Sequence, residues 1–226
     1  WIFFGLGVPY ALLLLPRPDW VRRAEVLALA FAVGPALLTT YMFGLSTLGV
    51  NYTRENVLGG TVLLAMVGGL WVWRKAQSAT SPQIQGGETT AGRQAGFGVD
   101  GWLLIGLITV ALIVRWVVIA YWPFTAYDSL WVYGYEGRLY ALLGHIPNSI
   151  GYYPQFMPLQ FAYAQLFFGI NDHAARAGLI FLHIGSILAA YGLGSRLINR
   201  RVGLLLAAIW ALHPHLGEWS RAGDRE

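Results

Sequence analysis

The chain has no cysteine in 226 residues. That excludes a disulfide framework, a thiol nucleophile and a thiolate-held metal, and it leaves the redox compartment unread. Charge is scarce too: Asp, Glu, Lys and Arg make up 12% of the residues, against 56% hydrophobic, with a mean hydropathy of +0.52. Such proportions exclude an ordinary soluble domain and place the chain in the membrane class. The formal net charge of +4 is no sign of nucleic acid, because the basic residues are scattered between apolar runs and form no patch. No nucleic-acid partner is expected; membrane lipids are. Position 1 is Trp, and WIFFGLGVPYALLLLPRP has no basic stretch ahead of its apolar run, so it does not read as an intact signal peptide. Both ends read as cut, and the chain as a fragment. No internal repeat is visible.

What the chain has is apolar runs near the length, about 20 residues, that carries a helix across a hydrocarbon core. They cover 1–15, 24–49, 57–73, 101–121, 174–197 and 202–217, the last one short. None shows the alternation of a barrel strand, and only helices or closed barrels satisfy their backbones in lipid. The expected fold is all-α, a polytopic transmembrane helix bundle with interfacial helices in a large external loop. Connections 16–23, 74–100 and 195–201 each carry three Lys or Arg, whereas 50–56 carries one and the much longer 122–176 carries two. The positive-inside rule therefore puts the first three in the cytoplasm and the loop after Tyr121 outside. The expected location is a prokaryotic plasma membrane. Residues 76–99 are rich in Gly, Ser, Thr and Gln and read as a flexible cytoplasmic linker. It divides a three-span leader, 1–75, from a second unit, 100–226.

The sequence changes character at Tyr121–Arg138, YWPFTAYDSLWVYGYEGR. Fifteen of the thirty-three aromatic residues fall between Tyr121 and Phe168, and rings with an apolar body and a polar tip favour the membrane surface. Two segments of this loop are helical in pattern but too short to span. One is 128–143, opened by Asp128 as a candidate N-cap and closed by Gly144; the other is 158–168, between Pro158 and Gly169. Between them GHIPNSIGYYPQFMP has no periodicity, and irregular backbone at membrane depth needs protein or a water-filled cavity around it.

Within this region Asp128 fits two roles, an N-cap or a general base for a hydroxyl nucleophile. Glu136 lies eight residues on, about 80° around an ideal helix, and reads best as paired with Arg138 or facing solvent. Arg115 sits inside the fourth span, where a charge must snorkel or pair, and an acid of the following loop is the expected partner. Asn171-Asp172-His173 reads as a capped helix start that carries Arg176 one turn inside, suited either to snorkelling or to holding a lipid phosphate. The five histidines do not have metal-ligand spacing, and His183 reads as a satisfied polar residue in the bundle. No cofactor is expected, and a divalent metal is not indicated.

The order of these residues resembles GT-C-type membrane glycosyltransferases, the branch with protein O-mannosyltransferases and aminoarabinose transferases. The elements are Arg115 in a span, Asp128 opening the external loop, Pro158-Leu159 starting a short helix and Gly169 closing it. Arg176 in a small-residue helix start, RLINRRVG, an apolar helix ending in Pro214, and SRAGD follow. The resemblance covers about 101–226. It implies transfer of a sugar, with inversion, from a polyprenyl-phosphate donor to an acceptor hydroxyl of a glycan, lipid or protein. By that resemblance Asp128 is the base, Arg176 is the Arg that opens the next span and Asp224 the acid after the following one, with the second carboxylate Glu136, Asp224 or absent; the candidate substrate-binding residues are Arg115, Glu136, Arg138, Arg176 and Asp224. The chain departs from the family in having Asp128-Ser129 where many members have adjacent Asp-Glu. The alternative readings are a polytopic transporter subunit and a non-catalytic membrane assembly protein.

Overall fold

The computed structural model describes residues 1–15, 20–78, 98–125, 127–148 and 154–214. Among them there is no strand. A π-helical stretch, Ile2–Leu6, leads into α1 (Gly7–Leu14); α2 (Trp20–Thr47), α3 (Arg54–Ser78) and α4 (Val99–Tyr121) follow. A second π-helical stretch, Ser129–Tyr133, leads into α5 (Gly134–Leu143), and α6 (Phe156–Phe168), α7 (Asp172–Arg176), α8 (Leu179–Leu197) and α9 (Arg200–Leu212) complete the order.

Four segments are long and apolar enough to cross a membrane: Arg23–Thr47, Arg54–Gln77, Val99–Tyr121 and Asp172–Leu197. The chain is thus an all-helical membrane protein by length and composition. Of the six runs expected to span, the first forms only the short apolar helix Ile2–Leu14. The last is helical for 13 residues, Arg200–Leu212, about 20 Å at 1.5 Å per residue, which falls short of a hydrocarbon core of about 30 Å. The expected linker is trimmed as well. Helix α3 runs through Ser78 and α4 starts at Val99; positions 79–97 lie outside the described residues.

Lipid-facing composition alone does not hold helices together, because lipid tails are as apolar as Leu; close packing does. Glycines supply it at two crossings. A Cβ on Gly34 of α2 would run into the Ile2 carbonyl oxygen, and one on Gly194 of α8 would come within 2.9 Å of the Gly203 Cα of α9. Pro35, which has no N–H for the preceding turn, lies fully buried in α2. There Gln160 of α6 donates to the Pro35 carbonyl oxygen and to the Thr39 hydroxyl, both at 2.9 Å.

Helix α2 packs against α8 and α6 as well as α1. The segment 1–75 therefore shares a core with 100–226. Phe3 and Phe31 from the first segment meet Phe181 of α8 at centroid distances of 4.9 and 6.0 Å.

The connections sort to two ends. At one, Tyr52 N–H donates to the Gly144 carbonyl at 2.5 Å, Ile146 N–H to the Ser46 hydroxyl at 3.0 Å, and Arg54 Nε to the Leu166 carbonyl at 2.6 Å. At the other, Arg196 pairs with Glu25 through two nitrogens, the Nη2 contact being 2.7 Å; Arg201 faces Asp100 at 3.8 Å, and Lys75 donates to the Leu13 carbonyl at 3.0 Å. The described residues of loop 122–171 thus share an end with 48–53, and 197–199 shares the opposite end with the start of α2, as the alternation of basic connections requires.

Candidate functional site at the loop end of the bundle

The loop end is built on α5 and α6, which cross where Gly137 has no side chain: a Cβ there would meet the Phe161 Cβ at 2.6 Å. Gly144 closes α5 at φ +76 and Gly169 closes α6 at φ +94, left-handed values that favour glycine, so both helix ends fall where the sequence placed them. Tyr121, Tyr127, Trp131 and Phe168 stay exposed.

Asp128 is helical, with φ −65 and ψ −33, and makes no capping hydrogen bond. The capping role open to it in the sequence is therefore not the one it takes. Helix starts earlier, at Tyr127, and Asp128 leads directly into the π-helical stretch, a geometry found often at functional sites. The carboxylate is half-buried and has no hydrogen-bond or ion-pair partner among the described residues.

The neighbouring acids are committed. Glu136 is 4% exposed, neither paired with Arg138 nor in solvent. It accepts from the Tyr140 hydroxyl at 3.3 Å, and that hydroxyl also donates to Gln155 Oε1 at 2.7 Å. Burial pushes the Glu136 carboxyl above its usual range, only partly offset by the Tyr140 hydrogen bond. The Tyr140 hydroxyl is pushed up by burial first and by the Glu136 charge second. Tyr52, packed in the same core, rises to about 12 through burial, with Ser46 pulling the other way. Arg138 instead turns to Asp172 at 2.7 Å.

Arg176 is 2% exposed. Its guanidinium donates to the Trp122 and Pro123 carbonyl oxygens, the latter at 2.8 Å, and sits 5.8 Å from the Phe124 ring centroid. It is positioned by the short helix α7, whose N-cap Asn171 accepts from Ala174 N–H at 2.6 Å as its sequence predicts. Arg176 thus neither snorkels nor stands open to a phosphate: it closes the C-terminal end of α4, where the last carbonyls lack helical partners.

Arg115 departs from expectation in the opposite sense. It is 8% exposed, and its Nε and Nη1 find no acceptor among the described residues; no loop acid reaches it. His183 of α8 is close enough for their charges to interact. His183 is 6% exposed with Nε2 unpartnered, so it is not the satisfied polar residue its sequence suggested. Asp224 lies outside the described residues. Among those described, no three His, Asp or Glu side chains come together as a metal site.

Sequence reasoning missed Tyr140, Gln155 and Gln165. Tyr140 follows Glu136 by one helical turn, a spacing that brings side chains together, so that pair had a readable signal. Gln165, 1% exposed with neither amide atom bonded, had none.

Comparison of the chain with family models, with curated proteins and with solved structures returned no match.

Proposed function

We propose that the chain is part of an outward-facing membrane glycosyltransferase of GT-C type, moving a sugar from a polyprenyl-phosphate donor to an acceptor hydroxyl. One observation supports it beyond the ordered motifs: at the loop end Glu136 and Asp172 are bonded, while Asp128 alone of the described acids there keeps a half-buried carboxylate without a partner. A base must be free to take a proton. In this reading Asp128 accepts the acceptor hydroxyl's proton, and the oxygen attacks the anomeric carbon. The bond from that carbon to the phosphate oxygen breaks, and the lipid phosphate leaves with the electron pair. Of the three arginines among the candidate substrate-binding residues, Arg138 and Arg176 are engaged. In this reading Arg115, whose Nε and Nη1 find no acceptor among the described residues about 9 Å below the end of α4, holds the leaving charge.

Full-length protein carrying Asp128→Asn, assayed for transfer from a polyprenyl-phosphate sugar, is expected to lose at least about a hundredfold in turnover. Turnover like that of wild type would remove Asp128 from the role.

A second reading, a transport subunit, draws on Arg115 and His183, buried side chains inside candidate membrane spans with nitrogens that find no partner among the described residues, since such residues often mark a substrate path. Binding of a polyprenyl phosphate separates the readings. The transferase binds it and weakens on Arg115→Gln; no binding by wild type favours transport.

A further inference from the structure

Helices α4 and α8 carry two polar side chains along a seam that is otherwise apolar. Leu112 and Ile119 stand three residues before and four after Arg115, on the same helix face, and Leu179 and Ile180 stand four and three before His183. These four belong to one apolar cluster. Leu112 also packs in a second cluster with Ile187, four residues beyond His183. Arg115 and His183 therefore lie between two apolar contacts of the same pair of helices, and their charges are close enough to interact. Arg115 is 8% exposed and His183 6%. Arg115 Nε and Nη1 and His183 Nε2 find no hydrogen-bond partner among the described residues.

A guanidinium stays charged at any pH a cell reaches, and a charge taken out of water with no counter-charge is strongly disfavoured. The described acids do not supply one. Helices α8 and α9 carry none, and Asp100 of α4 is about 22 Å along the helix from Arg115. Asp172 bonds Arg138, Glu25 of the adjoining α2 bonds Arg196, and Glu136 accepts from Tyr140. We propose that Arg115 and His183 together hold one small monovalent anion, of the halide class, between α4 and α8. Arg115 supplies the balancing charge with its Nε and Nη1 donors, and the imidazole adds an N–H in the tautomer protonated at Nε2. One positive charge meets one negative charge. A phosphate dianion would bring a second charge for which the described residues at this depth have no partner, and it is harder to strip of water between apolar side chains. The site shares Arg115 with the proposed transfer, in which the leaving phosphate takes the anion's place. The anion is bound before any donor and is measured without one, so either proposal can fail alone.

The test is equilibrium dialysis of the purified protein in detergent against radioactive chloride, with gluconate keeping the ionic strength constant. Wild type is expected to bind chloride saturably, one ion to a chain, and Arg115→Gln to abolish that binding. His183→Phe is expected to weaken it about tenfold or more, as loss of a hydrogen bond to a charged group does, and His183→Gln, which restores an N–H, to bind more tightly than His183→Phe. Arg201→Gln, on a side chain 82% exposed, is expected to leave binding unchanged. The melting temperature of wild type is expected to fall when gluconate replaces chloride, and that of Arg115→Gln to stay where it is. No saturable chloride binding by wild type overturns the proposal. So does undiminished binding by Arg115→Gln, or a loss with Arg201→Gln as large as with Arg115→Gln, which marks diffuse attraction instead of a site. Inorganic phosphate displacing the label at a lower concentration than unlabelled chloride overturns the halide class. If Arg115→Gln fails to fold, the His183 variants decide: His183→Phe binding as tightly as wild type overturns the two-residue site.

Discussion

At the scale of the residue, polar side chains differ in whether they are satisfied, and that sorts structural roles from chemical ones. Glu136 illustrates a carboxyl that burial keeps protonated beyond its usual range. The folded state then binds a proton that the unfolded state has released, so this contribution to stability is present below the ordinary carboxyl value of 4.5 and is lost as pH rises through the raised folded value. Glu136→Gln keeps the shape and the hydrogen-bonding capacity without the charge. Thermal melting in detergent is expected to show the variant no less stable than wild type at neutral pH, with a flatter dependence on pH above 4.5; a variant that melts well below wild type at neutral pH would show that the ionised form is the stabilising one. Glu136 next to Arg138 in sequence suggested an ion pair, since residues two apart are often drawn together on paper. On a helix they point to different faces, and each found a partner elsewhere: Tyr140 one turn on, and Asp172 across the loop. The Tyr140 contact was readable from spacing. The Asp172 contact, 34 positions away, was not.

At the scale of the element, the helices followed from their residues and the crossings from their glycines. Apolar runs, Asn171 and Asn199 as N-caps, and Gly144 and Gly169 as terminators fall where local chemistry puts them, because capping and left-handed backbone involve only a few neighbouring residues. Close approach is different in kind. Gly194 and Gly203 each sit in an unremarkable apolar stretch, and nothing local reveals that α8 and α9 meet there. Gly203→Leu places a side chain against Ser195 and the Tyr191 carbonyl. Overpacking of this kind costs typically about 1–3 kcal/mol, and a lowered melting temperature in detergent is the expected outcome; an unchanged one would mean that α9 is held only loosely. The π-helical stretch after Asp128 belongs here too. It was invisible in the pattern, since the same five residues, Ser129–Tyr133, read equally well as α-helix.

At the scale of the whole molecule, the two ends differ in charge, aromatic content and chemistry. The absence of native cysteine makes the orientation directly testable with single-cysteine variants. Val50→Cys and His145→Cys are expected to react with a membrane-impermeant maleimide on intact cells, and Ile198→Cys only after permeabilisation; the reverse pattern would turn the loop end toward the cytoplasm and remove it from an outward-facing role. The sequence by itself determined the membrane class and the helical character of the chain, with four of its six apolar runs in helices long enough to span. Those depend on how many apolar residues lie in a row and on where Lys and Arg interrupt them, which are properties of neighbours along the chain. Only the tertiary structure decided that the first seventy-five residues share a core with the rest. It also decided that Arg176 closes α4, that Arg138 is taken by Asp172, and that Arg115 and Asp128 find no partner among the described residues. A buried polar group takes whichever partner packing brings within about 3 Å, and that choice is made across helices far apart in sequence.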